Sequence, residues 1–392
     1  MHQPYCVARR HRGVSLIEIM VGVALGLVAA LVVTNVFSAS EKFRRNVTGS
    51  GDALQSATLA AMRLNLSVQE AGAGFVRGSH LWGCQVKATN GGTKILPRTD
   101  AYTAPFDSLP TTMNMLAAGI VSGGDSGSDI LISMAADSPA SNRDLLFTPG
   151  ENKMVTSASL SISPSDFFLV VPQIVAGDVG DCQIVQVASG YATGTGASDT
   201  SLGAKVVTSS PATVDLNKDS YGDIASDIKL QSPSAFHLGA APIFSAFAVN
   251  ANGELVERDL LARRDDQVLA ESVFLLKARY GVDDGVGGTA NDNIVDEWVS
   301  PAEDGWKIAD LMKKDSAVGQ KINQIKAVRV ALVVRSKRIG PTDVTRSKIE
   351  LFPDLATARQ FSYDLSSDDK GYEYQVYDWV IPLRNLKAVP KS

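Results

Sequence analysis

Few side chains in this sequence have the types and spacing that enzyme chemistry requires. Residues 124–127 read Gly-Asp-Ser-Gly, a pattern found around the nucleophilic serine of some proteases. Such a serine needs a neighbouring general base, and the body of the chain offers only His80 and His237, neither in a recognisable motif. A turn-forming loop is the better interpretation. No phosphate-binding loop or nucleotide fingerprint occurs. We expect no enzyme activity, no cofactor and no small-molecule substrate.

Two acidic stretches offer oxygen ligands of the kind that Ca²⁺ prefers. The first alternates carboxylate and amide side chains, with candidate ligands Asp215, Asn217, Asp219 and Asp223. Its glycine is displaced from the sixth position of a calcium loop, and Ser226 stands at the twelfth. The second stretch comprises Asp283, Asp284, Asp292 and Asp296. Acidic turns are common without a metal, so a solvated loop is the preferred interpretation of both, and cation binding stays open as the alternative.

Three cysteines are present, at Cys6, Cys84 and Cys182. No CxxC or cysteine–histidine spacing occurs, so they do not predict a metal site. Cys84 and Cys182 form a disulfide if the body of the chain is exported to an oxidising compartment; the alternative is two unrelated buried thiols.

The composition limits the kinds of partner. The chain has 392 residues, of which 45% are hydrophobic and 20% charged, as in a globular protein with two or three domain-sized units. Its formal net charge of −5 provides no broad basic surface, so we expect no nucleic-acid binding.

The N-terminus has the features of a membrane segment. Residues 1–13 contain Arg9, Arg10 and Arg12 and no acid, and residues 14–37 are apolar except at a few positions. As a helix, residues 14–37 span about 36 Å at about 1.5 Å per residue. That length crosses a hydrocarbon core of roughly 30 Å. The positive-inside rule places the basic end in the cytoplasm and exports everything after Phe37, which favours the disulfide.

Two features distinguish this segment from an ordinary secretory signal. A secretory signal is cut after its apolar run, where Ser38, Ala39 and Ser40 would suit. Here, however, Gly13 directly follows the basic cluster and precedes the apolar run. In addition, Glu18 lies inside the apolar run, although a charge at mid-membrane costs about 2.5 to 3.5 kcal/mol on insertion scales. A carboxylate in that position predicts a function.

Residues 13–18, Gly-Val-Ser-Leu-Ile-Glu, resemble the class III leader of type IV pilins and of type II secretion pseudopilins. The resemblance implies that prepilin peptidase cuts between Gly13 and Val14 and methylates the new amine of Val14. It also implies that Glu18 pairs with the terminal amine of a neighbouring subunit, which suits two opposite charges in lipid. Val14 departs from the pattern, because phenylalanine is commonest there.

The helix is expected to continue beyond the membrane. Gly22, Gly26 and Ala30 recur every four residues, either as a face for close helix packing or simply because small residues are common in membrane helices. Gly49 and Gly51 predict a break or kink, and Gly72 with Gly74 predict the end of the helix. An apolar stripe predicts the docked half: Leu54, Ala57, Ala61, Leu64 and Val68.

After Gly74 the pattern changes to short β-branched runs separated by glycine and polar residues, which predicts strands. The runs are residues 129–134, 167–176, 183–187, 243–249, 273–280, 325–334 and 374–382. Asn252-Gly253 predicts a hairpin tip. Residues 189–234 are rich in small and polar side chains and predict loops or a variable insertion.

The second half resembles the PilW-like minor pilins. The stretches that carry the resemblance are residues 273–281 with the following Val-Asp-Asp-Gly, 325–336, 380–385 and the pair Gly83-Cys84. The resemblance implies an α+β fold in which a long N-terminal membrane and assembly helix precedes a β-rich, pilin-like periplasmic head with an antiparallel sheet. The expected regions are a leader at 1–13, the helix at 14–72, a loop-rich β region at 73–235 and a pilin-like sheet at 236–392.

The resemblance implies a minor pilin that takes part in initiating type IV pilus assembly. Its partners would be prepilin peptidase, other minor pilins, the major pilin and the bacterial inner membrane. Its N-terminus would be cytoplasmic, and its head periplasmic or incorporated at the pilus tip. The alternative is a J-type minor pseudopilin of type II secretion, but the head is large for that homologue. The same bulk argues against a closely packed major pilin.

Overall fold

The computed structural model describes residues 15–75, 81–137, 145–150, 153–156, 161–172, 180–189, 197–199, 205–207, 212–216, 220–221, 233–336 and 347–386. It confirms the predicted α+β class, with a long N-terminal helix followed by antiparallel sheets. The predicted cleavage site at Gly13 and Val14 lies outside the described residues.

Helix α1 runs from Leu16 to Glu70 without interruption. The break predicted at Gly49 and Gly51 does not occur, since glycine costs an α-helix only about 1 kcal/mol and the flanking turns continue it. Within the described ranges, Leu16–Glu41 is the one segment helical, apolar and long enough to span a membrane. A membrane segment and a signal sequence share these properties, so the finding is consistent with the predicted anchor.

The C-terminal half of α1 docks on the head. Its buried stripe consists of Ala57, Ala60, Leu64 and Val68, which belong to the main hydrophobic core. Two predicted members of the stripe were wrong. Leu54 is exposed because it lies a turn before the docked segment, and Ala61 is only partly buried because Ala60 points more directly at the sheets.

One sheet has five antiparallel strands in the order β16-β15-β14-β4-β3. The strands are β3 (Ala118–Val121), β4 (Ile130–Ala135), β14 (Ile243–Val249), β15 (Leu255–Asp259) and β16 (Gln267–Ala270). The predicted hairpin at Asn252-Gly253 is confirmed between β14 and β15. Gly253 has a φ of +77°, and Asn250 Oδ1 accepts from the backbone N–H groups of Asn252 and Glu254.

A second antiparallel sheet has four strands in the order β18-β17-β19-β22. They are β17 (Val273–Val282), β18 (Glu297–Val299), β19 (Ile325–Arg335) and β22 (Tyr374–Pro382). Between β18 and β19 lie two short helices, α2 (Ile308–Leu311) and α3 (Ser316–Gln324). A two-stranded ribbon of β20 (Lys348–Leu351) and β21 (Phe361–Asp364) lies between β19 and β22 in the chain.

The third sheet has eight strands in the order β12-β6-β5-β13-β8-β9-β1-β2, and its β1–β9 pair is parallel. Its strands are β1 (Gln85–Asn90), β2 (Thr93–Leu96), β5 (Leu145–Gly150), β6 (Lys153–Thr156), β8 (Phe167–Val171), β9 (Asp181–Gln186), β12 (Ala212–Asp215) and β13 (Ser234–Gly239). A small sheet joins β7 (Ser161–Ile162), β10 (Ala197–Asp199) and β11 (Lys205–Val207).

The loop prediction for residues 189–234 was therefore incomplete, because three short strands, β10, β11 and β12, lie within that stretch. Short β-branched runs such as Lys205–Val207 provide their pairing residues. The boundary expected between residues 235 and 236 falls inside β13. The five-stranded sheet also takes strands from both sides of that boundary, so the two sequence regions share one core.

Candidate assembly site

Glu18 is the acidic side chain in the first turn of α1. Its neighbours Ile17 and Ile19 are largely exposed, as is the whole apolar segment that follows. A carboxylate at this end of a helix is favoured by the positive pole of the helix and by backbone N–H groups without helical acceptors. No described residue of the head packs against this half of α1, since the spanning segment is fully unburied. The structure thus leaves Glu18 and its flanks available to another molecule.

The small-residue face of α1 is open. A Cβ atom added at Gly22 or at Gly26 would meet nothing within 4 Å, and Ala30 is exposed. Farther along, Thr34 Oγ1 donates to the carbonyl oxygens of Ala30 and Leu31 at 2.8 and 3.0 Å, which hides its polar group against the helix. Another helix could therefore approach the backbone of α1 closely at these residues. Helix packing there stays a prediction.

A second apolar strip on α1 was missed by the sequence reasoning. Leu59, Met62 and Leu66 are 49%, 59% and 45% exposed. At 3.6 residues per turn they lie on the side of the helix opposite the buried stripe. The spacing of three and four residues was the available signal, but the buried stripe on the opposite side of the helix has more apolar residues and was the one interpreted. We call Leu59, Met62 and Leu66 the outer strip.

A groove of about 510 Å³ flanks the outer strip, between α1 and the five-stranded sheet. Leu66 and Arg63 line it from the helix, and Phe247 and Glu257 from the sheet. Glu257 is already engaged, because it accepts from Ser245 Oγ and pairs with Arg264. Together with the outer strip, the groove forms a wider surface that is apolar at Leu66 and Phe247 and charged at Arg63 and Glu257.

The end of α1 is fixed by the far end of the chain. Asn385 Nδ2 lies 3.4, 3.2 and 3.2 Å from the carbonyl oxygens of Gln69, Glu70 and Ala71. Carbonyl oxygens at the C-terminal end of a helix lack helical N–H partners, so the amide caps the helix; the Glu70 carbonyl also accepts from Ala73 N–H at 2.8 Å. One turn earlier, Ser133 Oγ donates to the carbonyl of Ser67 at 2.7 Å. The head therefore sets the direction in which the apolar half leaves it.

The predicted disulfide between Cys84 and Cys182 is present, with Cα atoms 5.7 Å apart. Cys84 directly precedes β1 and Cys182 lies in the parallel neighbour β9, so the bond holds the β1–β9 pair at its start. Asp181 beside it pairs with Lys87 and Lys314 at 2.6 and 3.0 Å. Burial would raise the pKa of Asp181, but these two ammonium groups outweigh burial and lower it.

The Gly-Asp-Ser-Gly stretch is a loop held by a buried ion pair. Asp129 Oδ1 accepts from Gly123 N–H at 2.9 Å and from Lys277 Nζ at 3.1 Å. Lys277 Nζ also donates to Gly124 O at 2.6 Å. Burial lowers the pKa of Lys277, and Asp129 counteracts it. The contacts suit the turn interpretation. His237 lies elsewhere, buried, with Nε2 2.9 Å from Asp166 Oδ2.

The two acidic stretches differ in what the structure describes. Asn217, Asp219 and Asp223 lie outside the described residues, and Asp215 is described as part of β12. In the second stretch, ligand atoms of Asp283, Asp292 and Asp296 lie within 4.8 Å of one another. Each carboxylate accepts backbone N–H bonds from its own loop, from Asn291, Asn293, Ile294 and Gly285. Asp284 bonds Val286 N–H and stands apart from the cluster. These bonds account for the clustering as loop structure.

Comparison with protein families gives two matches. Residues 250–385 match the family described as Type IV Pilus-assembly protein W, and residues 8–34 match the prokaryotic N-terminal methylation motif. The first match contains β17, β19, β22 and the capping Asn385; the second contains Gly13, Val14, Glu18 and the small-residue face. No curated protein and no solved structure matches the chain significantly.

Proposed function

We propose that this chain, a PilW-like type IV pilin by its two family matches, acts as a minor pilin that helps to initiate pilus assembly. In this proposal prepilin peptidase cuts between Gly13 and Val14 and methylates Val14. The processed chain then sits in the inner membrane with its N-terminus cytoplasmic and its head periplasmic. There it joins other minor pilins and the major pilin, and it enters the pilus tip. The proposal includes no catalytic activity.

The observation that carries the proposal is Glu18 on a bare apolar helix. A lone carboxylate in lipid is costly, and a helix that served only as an anchor would have no use for it. Cleavage after Gly13 creates a positive amine at Val14, the first residue of the mature chain, and Glu18 becomes its fifth residue. Pairing of this amine with Glu18 of a neighbour offsets the desolvation of both charges, so insertion next to a partner is favoured over insertion alone.

The outer strip supports the same proposal. A soluble head has no need of Leu59, Met62 and Leu66 on the solvent side of its helix, and their burial against a neighbour's helix would be favourable by the hydrophobic effect. The strip lies on the same helix as the apolar half, nearer the head. Contacts between helices would therefore extend beyond the membrane.

The J-type pseudopilin alternative is less well supported. The family that matches the head is a pilus-assembly family, and its match extends from the β14–β15 turn through β22. The leader motif is shared by both systems and does not separate them. The head match therefore favours the pilus.

The test is Glu18→Ala in the native host. The substitution makes the segment more apolar, so membrane insertion, processing and head folding are expected to persist. Surface pili and co-purification with other minor pilins are expected to fall at least tenfold. Glu18→Gln is the matched variant, since it keeps the shape and removes the charge, and it should behave like Glu18→Ala.

Gly13→Glu provides the unprocessed reference, because a bulky charged side chain does not fit a site that selects a small residue. Mass spectrometry of the mature N-terminus separates a processing defect from an assembly defect. Normal piliation and undiminished co-purification in processed Glu18→Ala would contradict the proposal, as would a mature chain that begins beyond Phe37.

A further inference from the structure

We propose that β22 is a docking edge, to which an extended segment of another pilus subunit adds as a fifth strand of the four-stranded sheet. The inference rests on the proposed function, because it takes the donor to be a partner in assembly. β22 pairs on one side with β19, in register from Arg335↔Tyr374 to Ala327↔Pro382. In the described structure its other side has no strand partner.

The ladder shows which backbone groups point outward. Ser336 N–H donates to Glu373 O, and Leu383 N–H donates to Lys326 O, both at 2.8 Å. In an antiparallel ladder bonded pairs alternate, so the odd-numbered residues between them bond β19. Val376, Asp378 and Val380 therefore turn their N–H and C=O groups to the open edge. None of these backbone groups has a hydrogen-bond partner in the part of the chain that the structure describes.

This edge differs from the other sheet edges in the described residues. β16, β18 and β2 have four, three and four residues, and β3 is buried. β22 has nine residues and one charged side chain, Asp378, which pairs with Arg329. Val376 and Val380 are 38% and 48% exposed. Proteins usually blunt a long edge with charges, bulges or proline. In β22 the proline, Pro382, is the last residue, so residues 374–381 form a long edge without proline, which is suited to strand addition.

The β22 strand of a second copy does not fit this edge. Two identical strands that pair antiparallel in one sheet are related by a two-fold axis perpendicular to that sheet. α1 packs along the face of the sheet, against β19 and β22. Rotation by 180° about the perpendicular axis reverses the direction of α1. The two apolar halves would then leave in opposite directions and could not enter the same membrane. Antiparallel pairing of β22 with the β22 of a second copy is therefore excluded, and the proposal takes the donor to be an extended segment of a different pilus subunit.

The side chains beside the edge define the chemistry of the donor. Arg329 Nε donates to Asp378 at 2.9 Å, and its Nη1 donates to Asp354 at 2.7 Å, so one cation faces two carboxylates. A lysine or arginine of the donor opposite Asp378 would balance that charge. Residues two positions away on either side would face Val376 and Val380 and are expected to be apolar. The donor is thus an extended strand with a basic residue between two apolar ones on its outer face.

Hydrogen exchange resolved to single amides tests the inference on the full-length, processed protein in detergent. In the protein alone, the amides of Val376, Asp378 and Val380 should exchange fast, while those of Tyr377 and Trp379 are protected by β19. In the complex that co-purifies with other pilins, the first three should slow at least tenfold. An intact complex in which they stay fast overturns the inference and leaves the proposed function standing.

Two other outcomes also contradict the inference. Protection that appears in the protein alone and grows with its concentration would assign the edge to a second copy. Failure to obtain any complex, with processing confirmed, would contradict the proposed function and this inference with it.

Val376→Pro is the discriminating variant, because it removes an outward N–H and leaves the bonds to β19 in place. Recovery of the complex should fall at least tenfold, whereas Val376→Thr, which keeps the N–H and the β-branch, should stay within twofold. Val380→Lys puts a charge on the edge and should also lower the recovery of the complex. It provides the test if the proline variant does not fold. Unchanged recovery with both Val376→Pro and Val380→Lys, at an unchanged denaturation midpoint, would contradict the inference.

Discussion

At the scale of single residues, Asn385 shows how a side chain from the far end of the sequence can direct a helix. Its amide donates toward the last carbonyls of α1, from Gln69, Glu70 and Ala71. Asn385→Ala removes the donor to the partly buried carbonyls of Gln69 and Ala71, whereas the Glu70 carbonyl keeps its bond from Ala73 N–H. We expect a loss of about 1 to 3 kcal/mol in the free energy of unfolding, measured as a shift of the urea midpoint.

Asn385→Asp is the matched control for the cap. It keeps the shape but replaces the donors with an anionic oxygen that faces three carbonyl oxygens. Stability should fall at least as far as in Asn385→Ala. An aspartate variant as stable as the native protein would show that the amide does not cap the helix.

Residues that act alone were predictable, and residues that act through distant contacts were not. Glu18 could be identified because a carboxylate in an apolar run is conspicuous without any structure. The role of Asn385 could not, since its partners lie more than 300 positions away in the chain. The pairing of Cys84 with Cys182 was predictable only because the predicted export places these two cysteines in one oxidising compartment.

At the scale of elements, the disulfide holds the parallel pair β1–β9 across a sequence separation of 98. On the chain-entropy model, closing so long a loop stabilises the fold by about 4 to 5 kcal/mol. The double variant Cys84→Ser/Cys182→Ser should therefore lose roughly 2 to 5 kcal/mol in the free energy of unfolding of the head. The native protein unfolded in reducing denaturant is the control, and it should match the double variant. A loss below about 1 kcal/mol would contradict this role.

The type of most elements followed from periodicity, but their neighbours did not. The runs that became β4, β14, β17, β19 and β22 were predicted as strands because their side chains are apolar and β-branched. Strand order depends on which faces bury together, and this brought β4 next to β14 across more than 100 residues. The open edge at β22 is a property of strand order, so no local pattern could predict it.

At the scale of the whole molecule, most apolar side chains fall into two groups: those buried in the head, and those exposed along α1. The described part of the head buries a main core, which includes the docked stripe of α1, and a smaller cluster around Phe352 between β17, β19 and the β20–β21 ribbon. Among the described residues, most of the exposed large apolar side chains lie on the bare half of α1 and on the outer strip, and others lie at Leu54, Val268, Val286, Ile294 and the β22 edge. In the proposed function, folding and assembly therefore depend on different residues of the same helix, and substitutions can separate them.

Replacing Leu59, Met62 and Leu66 together with lysine tests that separation. The three side chains point away from the core, and lysine has a good helix propensity, so the free energy of unfolding should change little, by about 0.5 kcal/mol per site at most. Co-purification with other pilins and surface piliation should fall at least tenfold, because three charges replace the apolar strip that, in the proposed function, packs against a neighbour.

Two controls make the result specific to the outer strip. Gln55→Lys adds a charge on the same side of α1, one turn before the strip, without removing apolar surface, and it should leave piliation unchanged. Leu64→Ala removes a fully buried side chain and should lower the free energy of unfolding by about 2 to 5 kcal/mol. Piliation that survives the triple lysine variant would show that helix contacts end at the membrane. A comparable defect in Gln55→Lys would show that charge on this side of the helix, rather than loss of the apolar strip, blocks assembly.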